Sequence, residues 1–181
     1  MMSQAITAAR QVRILQLGAG ALRALADGDL VAANLHSPVA LTPYFAGPHW
    51  SSVWRMRSEQ VVSDPASADW ITGVVWCEEL AVAVGRAGFH GPPDGAGMVE
   101  VGYAIDPAHR RRGYARAALE LMLGRAAHDP RVRTVRASIG PANLASRNLV
   151  LQYGFVEVGE QRDDDDGLEV VYEVSSATFR A

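Results

Sequence analysis

The spacing of apolar residues along the chain predicts alternating strands and helices. Val12–Leu15 reads as a short strand. Gly18–Ala26 sets Leu22, Leu25 and Ala26 at helical intervals, and Asp27-Gly28-Asp29 ends that helix. Asp29 then stands where a cap for a second helix, Leu30–Leu35, is needed. Ser37–Pro65 is irregular and rich in proline and aromatic residues, with a helix-compatible stretch at Ser52–Val61. Trp70–Cys77 and Leu80–Ala87 are apolar runs around Glu78-Glu79, the pattern of a hairpin. Gly88–Gly97 connects them to Met98–Ile105, which alternates: Val99, Val101, Tyr103 and Ile105 share one face, and Met98, Glu100, Gly102 and Ala104 the other. Tyr114–Ala127 is helical, with Ala115, Leu119, Met122 and Ala126 as its apolar stripe and Arg116 and Glu120 outside it. Val132–Ile139 is a strand. Leu144–Tyr153 is a helix with Asn143 at its N-cap and Gly154 just past its end. Phe155–Gln161 and Leu168–Val174 form a hairpin around the aspartate-rich turn Arg162–Gly167. This interleaving predicts a mixed sheet with helices on both faces.

The join between the alternating strand and the long helix carries the chemistry. Asp106-Pro107 stops the strand, since proline has no N–H for a ladder. His109-Arg110-Arg111-Arg112 and then Gly113-Tyr114-Ala115 lead into the helix. A glycine lets backbone approach a ligand, and a helix start offers outward N–H groups and a partial positive charge. Together they form a site for a phosphate or pyrophosphate; the alternative is a solvated basic patch. No Gly-x-x-x-x-Gly-Lys-Ser/Thr is present, and Gly18-Ala19-Gly20 has Arg23 where a dinucleotide fingerprint needs its third glycine.

Composition narrows the field. With 181 residues, 20% charged residues and a net charge of −3, the chain reads as one ordinary globular domain with no field to draw it to nucleic acid or to an anionic membrane. No apolar run approaches the ~20 residues of a membrane span. Cys77, the single cysteine, lies in the apolar run Ile71–Cys77 and reads as a buried thiol in a reducing, cytoplasmic setting. The histidines are scattered, so no metal site is expected.

Arg110-x-x-Gly113-x-Ala115 resembles the acyl-CoA pyrophosphate loop of the GNAT superfamily of N-acetyltransferases. Gly140–Phe155 resembles the segment that follows it there, an Asn-started helix ending in Gly-Phe. Glu100, Gly102-Tyr103, Asn143-x-x-Ser146 and Asp166-Gly167 are similar to the RimJ/RimL-like branch. The likeness covers about Ile71–Val174. It implies an α/β fold with a mixed, mostly antiparallel sheet of about seven strands. It also implies a single domain across residues 1–181: N-terminal strand and helices over 10–36, a long loop over 37–65, an acyl-CoA-binding core over 98–155 and a C-terminal hairpin over 155–174.

The resemblance implies direct acetyl transfer from acetyl-CoA to an amine, by a monomer or homodimer and without a metal. Backbone of Arg112–Ala115 would hold the pyrophosphate, with Arg110, Arg111, Arg112 and Arg116 around it. Ala104, Ile105 and Asp106 would pair with the pantetheine arm, and Asn143 and Ser146 would lie beside it. Glu100 would take the amine proton, directly or through a water; otherwise it is a strand glutamate paired with an arginine such as Arg86. Many superfamily members carry an acid tyrosine where Val150 stands, so Ser146 is the substitute, unless it only satisfies backbone at a helix start. A non-catalytic acyl-CoA sensor remains the alternative. Tyr103, Trp54 and Arg86 are the candidate acceptor contacts, although for the aromatics of Ser37–Pro65 packing against the sheet comes first, a wall of the acceptor site second and a dimer contact third.

Overall fold

A computed structural model of the protein describes residues 11–163 and 167–180. Its centre is a seven-stranded sheet in the order β1-β2-β3-β4-β5-β7-β6. The strands are β1 (Val12–Leu15), β2 (Gly73–Cys77), β3 (Val82–Phe89), β4 (Met98–Ile105), β5 (Thr134–Ile139), β6 (Val156–Asp163) and β7 (Gly167–Ser175). All neighbours are antiparallel except β4 and β5. The helices are α1 (Ala19–Ala26), α2 (Leu30–His36), α3 (Ser51–Ser63), α4 (Tyr114–His128) and α5 (Leu144–Leu151).

Two cores sandwich the sheet. On one face, Val99, Val101 and Ile105 of β4 pack with Leu119, Met122 and Leu123 of α4 and with Val150 of α5. This is the alternation read from sequence, with the β4 apolar face turned to the long helix. On the other face, Val74 and Ala83 pack with Leu22 and Leu25 of α1, and with Phe45 and Trp54. Asp29 caps α2 by accepting the Ala32 N–H at 2.9 Å, and Asn143 caps α5 by accepting the Ser146 N–H at 3.2 Å.

Several boundaries differ from the pattern reading. Glu78–Ala81 is a longer turn, with Ala81 at φ +48°, so β3 starts at Val82. β3 in turn runs on to Phe89, because its pairing with β4 continues through Phe89↔Val101. The stretch expected as a long loop over 37–65 contains α3, a full thirteen-residue helix. Trp54, expected on an acceptor wall, lies on that helix with 0% exposure and donates its indole N–H to the Phe45 carbonyl at 2.7 Å. It is core because an indole that finds an internal acceptor can bury its large apolar surface without losing a hydrogen bond. Of the Asp163–Asp166 run, only Asp163 is among the described residues, so the Asp166-Gly167 motif lies outside them in part.

Candidate active site

Parallel pairing between β4 and β5 stops at Glu100↔Arg136. Both strands continue, β4 to Ile105 and β5 to Ile139, so they part beyond Glu100 and one backbone edge of β4 faces a gap. A cavity of about 1150 Å³ opens there. Tyr103, Ala104 and Ile105 form one wall, Gly113–Arg116 with Arg110 and Arg111 the base, and Asn143 and Ser146 the opposite wall. Thus eleven of the residues singled out from sequence converge on a single cavity. Asp106, Arg112, Glu100, Trp54 and Arg86 are not part of its lining.

The base is built by backbone conformation. The Asp106 carboxylate accepts the Ala108 N–H at 2.9 Å and turns the chain through a 3-10 turn, Pro107–His109. Arg111 at φ +59° and Gly113 at φ +86° are then left-handed. For an L-residue such as arginine that conformation costs ~1–2 kcal/mol, and strain of this kind collects at ligand clamps. Gly113 is the N-cap of α4 and has no side chain to occupy the first-turn amides. The positive end of a fifteen-residue helix therefore opens on the cavity.

The arginines divide the work. Arg110 turns its Nε back to the Ile105 carbonyl at 2.9 Å and ties the loop to β4. Arg116 reaches α5's end, donating to the Tyr153 hydroxyl at 3.0 Å and to the Gln152 carboxamide oxygen. Tyr153 in turn donates to Glu120 at 2.5 Å, so the tyrosine bridges the two outer residues of α4. Arg111 lines the mouth, and Arg112 is exposed beside it.

On the far wall, Ser146 faces the Tyr103 hydroxyl. Burial raises the phenol's pKa and Ser146 draws it partly back, although the contact falls short of normal hydrogen-bond geometry. Val150, where a phenol acid would stand, is buried in the α4–α5 core.

The opposite face of β4 presents Glu100, Gly102 and Ala104. The register sets Arg86 of β3 against Ala104, and Gly88 against Gly102. Arg86 stacks its guanidinium 3.9 Å from the centre of the Trp50 ring, one turn ahead of α3, four residues along the strand register from Glu100. The neighbouring Tyr44 phenol has its pKa raised by burial, with Arg86 and Arg110 opposing. Glu100 instead meets His90, with Oε1 and Nδ1 3.8 Å apart. His90 was not read from sequence, because Gly88–Gly97 has the composition of a connection. The signal available was the β3 pattern continuing past Ala87 toward Phe89 and His90. Its carbonyl is held by two donors from α3, Arg57 at 3.0 Å and Gln60 at 2.9 Å. Among the described residues no group of three or more His, Cys, Asp or Glu gathers to hold a metal ion, and no helix is long and apolar enough to cross a membrane.

Residues 21–156 match the family model described as an acetyltransferase (GNAT) domain. An uncharacterized N-acetyltransferase of Bacillus subtilis, YjdG, is 36% identical over 73 residues, 40% of this chain and 44% of that protein. The L-2,4-diaminobutyric acid acetyltransferase of Streptomyces anulatus is 30% identical over 115 residues, 57% of this chain and 64% of that protein. The chain thus spans less than two thirds of the length of either relative. Among solved structures, Mycobacterium smegmatis RimJ in complex with CoA-disulfide has the same fold, with a TM-score of 0.62 over 97% of this chain and 91% of that one, at 17% identity. The sheet splayed at β4 and β5, the glycine-started α4 and the family match together identify the chain as a member of the GNAT acetyltransferase family.

Proposed function

We propose that this protein transfers the acetyl group of acetyl-CoA directly to a primary amine, on a small molecule or a protein N-terminus, in the manner of the RimJ/RimL-like branch. The observation that carries this reading is the convergence of the free edge of β4, the left-handed Gly113 start of α4 and the Asn143–Ser146 cap on one cavity. The residues fit the donor. First-turn amides of α4 and the neighbouring arginines suit a pyrophosphate. The edge of Ala104–Asp106 suits the amides of a pantetheine arm, and Ser146 and Tyr103 stand where the thioester would end. Strand N–H groups near Tyr103 and Ala104 would take the developing oxyanion.

The acceptor sets how strong a base is needed. Freeing an α-amine of pKa ~8 at pH 7 costs about 1.4 kcal/mol, and a lysine amine of ~10.4 about 4.6 kcal/mol. On the acceptor face that proton goes toward Glu100, directly or through an intermediary. Ser146 returns a proton to the departing thiolate. The whole chain acts as one such domain, as a monomer or homodimer, without nucleic acid. The buried free thiol of Cys77 supports a reducing cytoplasm.

Val150 in place of a phenol favours a second reading, a non-catalytic acyl-CoA-binding module. Release of free CoA thiol separates the two. Acetyl-CoA is incubated with spermidine, 2,4-diaminobutyrate, or peptides with free N-termini. Amine-dependent thiol release is the expected result. Donor binding with no release across the panel would leave only the sensor.

A further inference from the structure

We propose that His90 is the group that accepts the amine proton and that Glu100 positions it. This rests on the acetyl-transfer reading and assigns that reaction's base.

Glu100 lies at the last paired position of β4 with β5, opposite Arg136, where the two strands are still closed. The gap begins beyond it, and the cavity touches β4 only from Tyr103 onward. With a strand rise of ~3.3 Å per residue, Glu100 is about 7 Å short of Gly102. Its side chain is also 15% exposed, against 50% for His90. His90 comes from the neighbouring strand and bridges that distance. Its backbone N–H donates to the Glu100 carbonyl at 2.8 Å, which fixes its register on β4. Its Nε2 lies 3.0 Å from where a Cβ on Gly102 would sit. The imidazole tip thus rests beside Gly102, a residue with no side chain that stands two positions nearer the gap than Glu100. Arg57 and Gln60 pin its carbonyl from α3, so the ring is carried by a well-held backbone.

The charges around the ring agree with a base. Burial lowers the pKa of His90, Glu100 opposes that shift, Arg57 and Arg86 add to it, and Asp163 at the tip of β6 opposes it. The net shift is downward, which favours the neutral imidazole that a base requires. With Nδ1 toward Glu100, the Nε2 lone pair beside Gly102 is the one left to take a proton from the acceptor. As the amine nitrogen bonds to the thioester carbon, the carbonyl π pair moves to oxygen and the nitrogen becomes cationic. His90 Nε2 takes its surplus proton, and the imidazolium is held by the Glu100 carboxylate 3.8 Å away. The oxyanion then reforms the carbonyl, the C–S bond breaks, and the thiolate is protonated from Ser146, which recovers its proton from solvent. His90 gives its proton to solvent.

The test compares wild type with His90→Gln, His90→Ala and Glu100→Gln. Acetyl-CoA binding is measured by calorimetry, and kcat/KM against pH with whichever amine the wild type acetylates. Expected are unchanged acetyl-CoA affinity in all three variants and a rate loss of about 10²-fold or more in His90→Gln. The wild-type acid limb should fall below the ordinary histidine value of ~6.5 and vanish in that variant. Added imidazole should restore part of the rate to His90→Ala. In Glu100→Gln the limb should move to lower pH, since a charge that raises the His90 pKa is gone. Histidine NMR titration of that variant checks the same downward shift without any acceptor. A His90→Gln enzyme within threefold of wild type, or an unmoved His90 titration in Glu100→Gln, overturns the assignment. Failure of the wild type to bind acetyl-CoA would instead overturn the reading beneath it.

Discussion

Replacing glycine by alanine at two positions of one helix should move stability in opposite directions. Gly113, the N-cap of α4, is at φ +86°. An alanine there takes a left-handed conformation that costs ~1–2 kcal/mol. For a chain of this size each kcal/mol shifts Tm by about 2–4 °C, so Gly113→Ala should melt about 2–8 °C below wild type. Gly124 is inside α4, and a Cβ there would have no heavy atom within 4 Å. Alanine at an open helix interior gains roughly 0.5–1 kcal/mol, so Gly124→Ala should melt about 1–4 °C above wild type. Ligand adds a second axis. At a concentration of about 100 times Kd, acetyl-CoA stabilises the wild type by about 2.7 kcal/mol, some 5–10 °C. Gly124→Ala should keep that increment, and Gly113→Ala should lose most of it, because its methyl group enters the anion cradle. Differential scanning calorimetry of the three proteins with and without acetyl-CoA reads both shifts and all three increments. A Gly113→Ala protein as stable as wild type would refute the left-handed cap, and one with the full ligand increment would refute the cradle.

Trp54→Ala should cost about 3–5 kcal/mol in urea unfolding, because it empties a fully buried site and strands the Phe45 carbonyl. Trp54→Phe should recover most of that loss, with acceptor preference unchanged; an altered preference without loss of stability would return Trp54 to the acceptor wall. Asp94 has its carboxyl held below the usual range by N–H groups of Met98 and, secondarily, Ala96, accepted at 2.9 and 2.8 Å. A carboxyl depressed in the folded state adds stability above its unfolded pKa of ~3.9, and that contribution is lost as pH falls through the lower folded value. Asp94→Asn should therefore flatten the acid side of the stability–pH curve, and an equally steep acid limb in the variant would count against the depressed carboxyl.

The central segment was the most legible part of the sequence. β4 has the residue range its alternation predicted, α4 differs by one residue at its end, and Asn143 caps α5. Each of these depends on local periodicity, a cap or a turn, all written in contiguous residues. What escaped depends on contacts across the sheet. α3 has a weak apolar stripe, since Arg57 and Ser58 are among its buried residues, so periodicity alone did not delimit it. His90 follows Phe89, the last residue of β3, and precedes a glycine- and proline-rich turn, and only the partner strand draws it over Gly102. Arg110 belonged to a basic run whose sum suggested phosphate contacts, yet its Nε is committed to the Ile105 carbonyl five residues back. Side-chain direction within a charge cluster is set by the fold around it, and composition carries no record of it.

The measurement that bears most directly on the proposed donor site is a calorimetric titration of acetyl-CoA and of CoA into wild type and into Gly113→Glu. A carboxylate at the start of α4 would oppose the pyrophosphate by both charge and bulk. Binding to the wild type with Kd on the order of micromolar, lost in a Gly113→Glu protein that remains folded by circular dichroism, is the expected result. A wild type that binds neither ligand, or a folded variant that binds both as tightly, would contradict it.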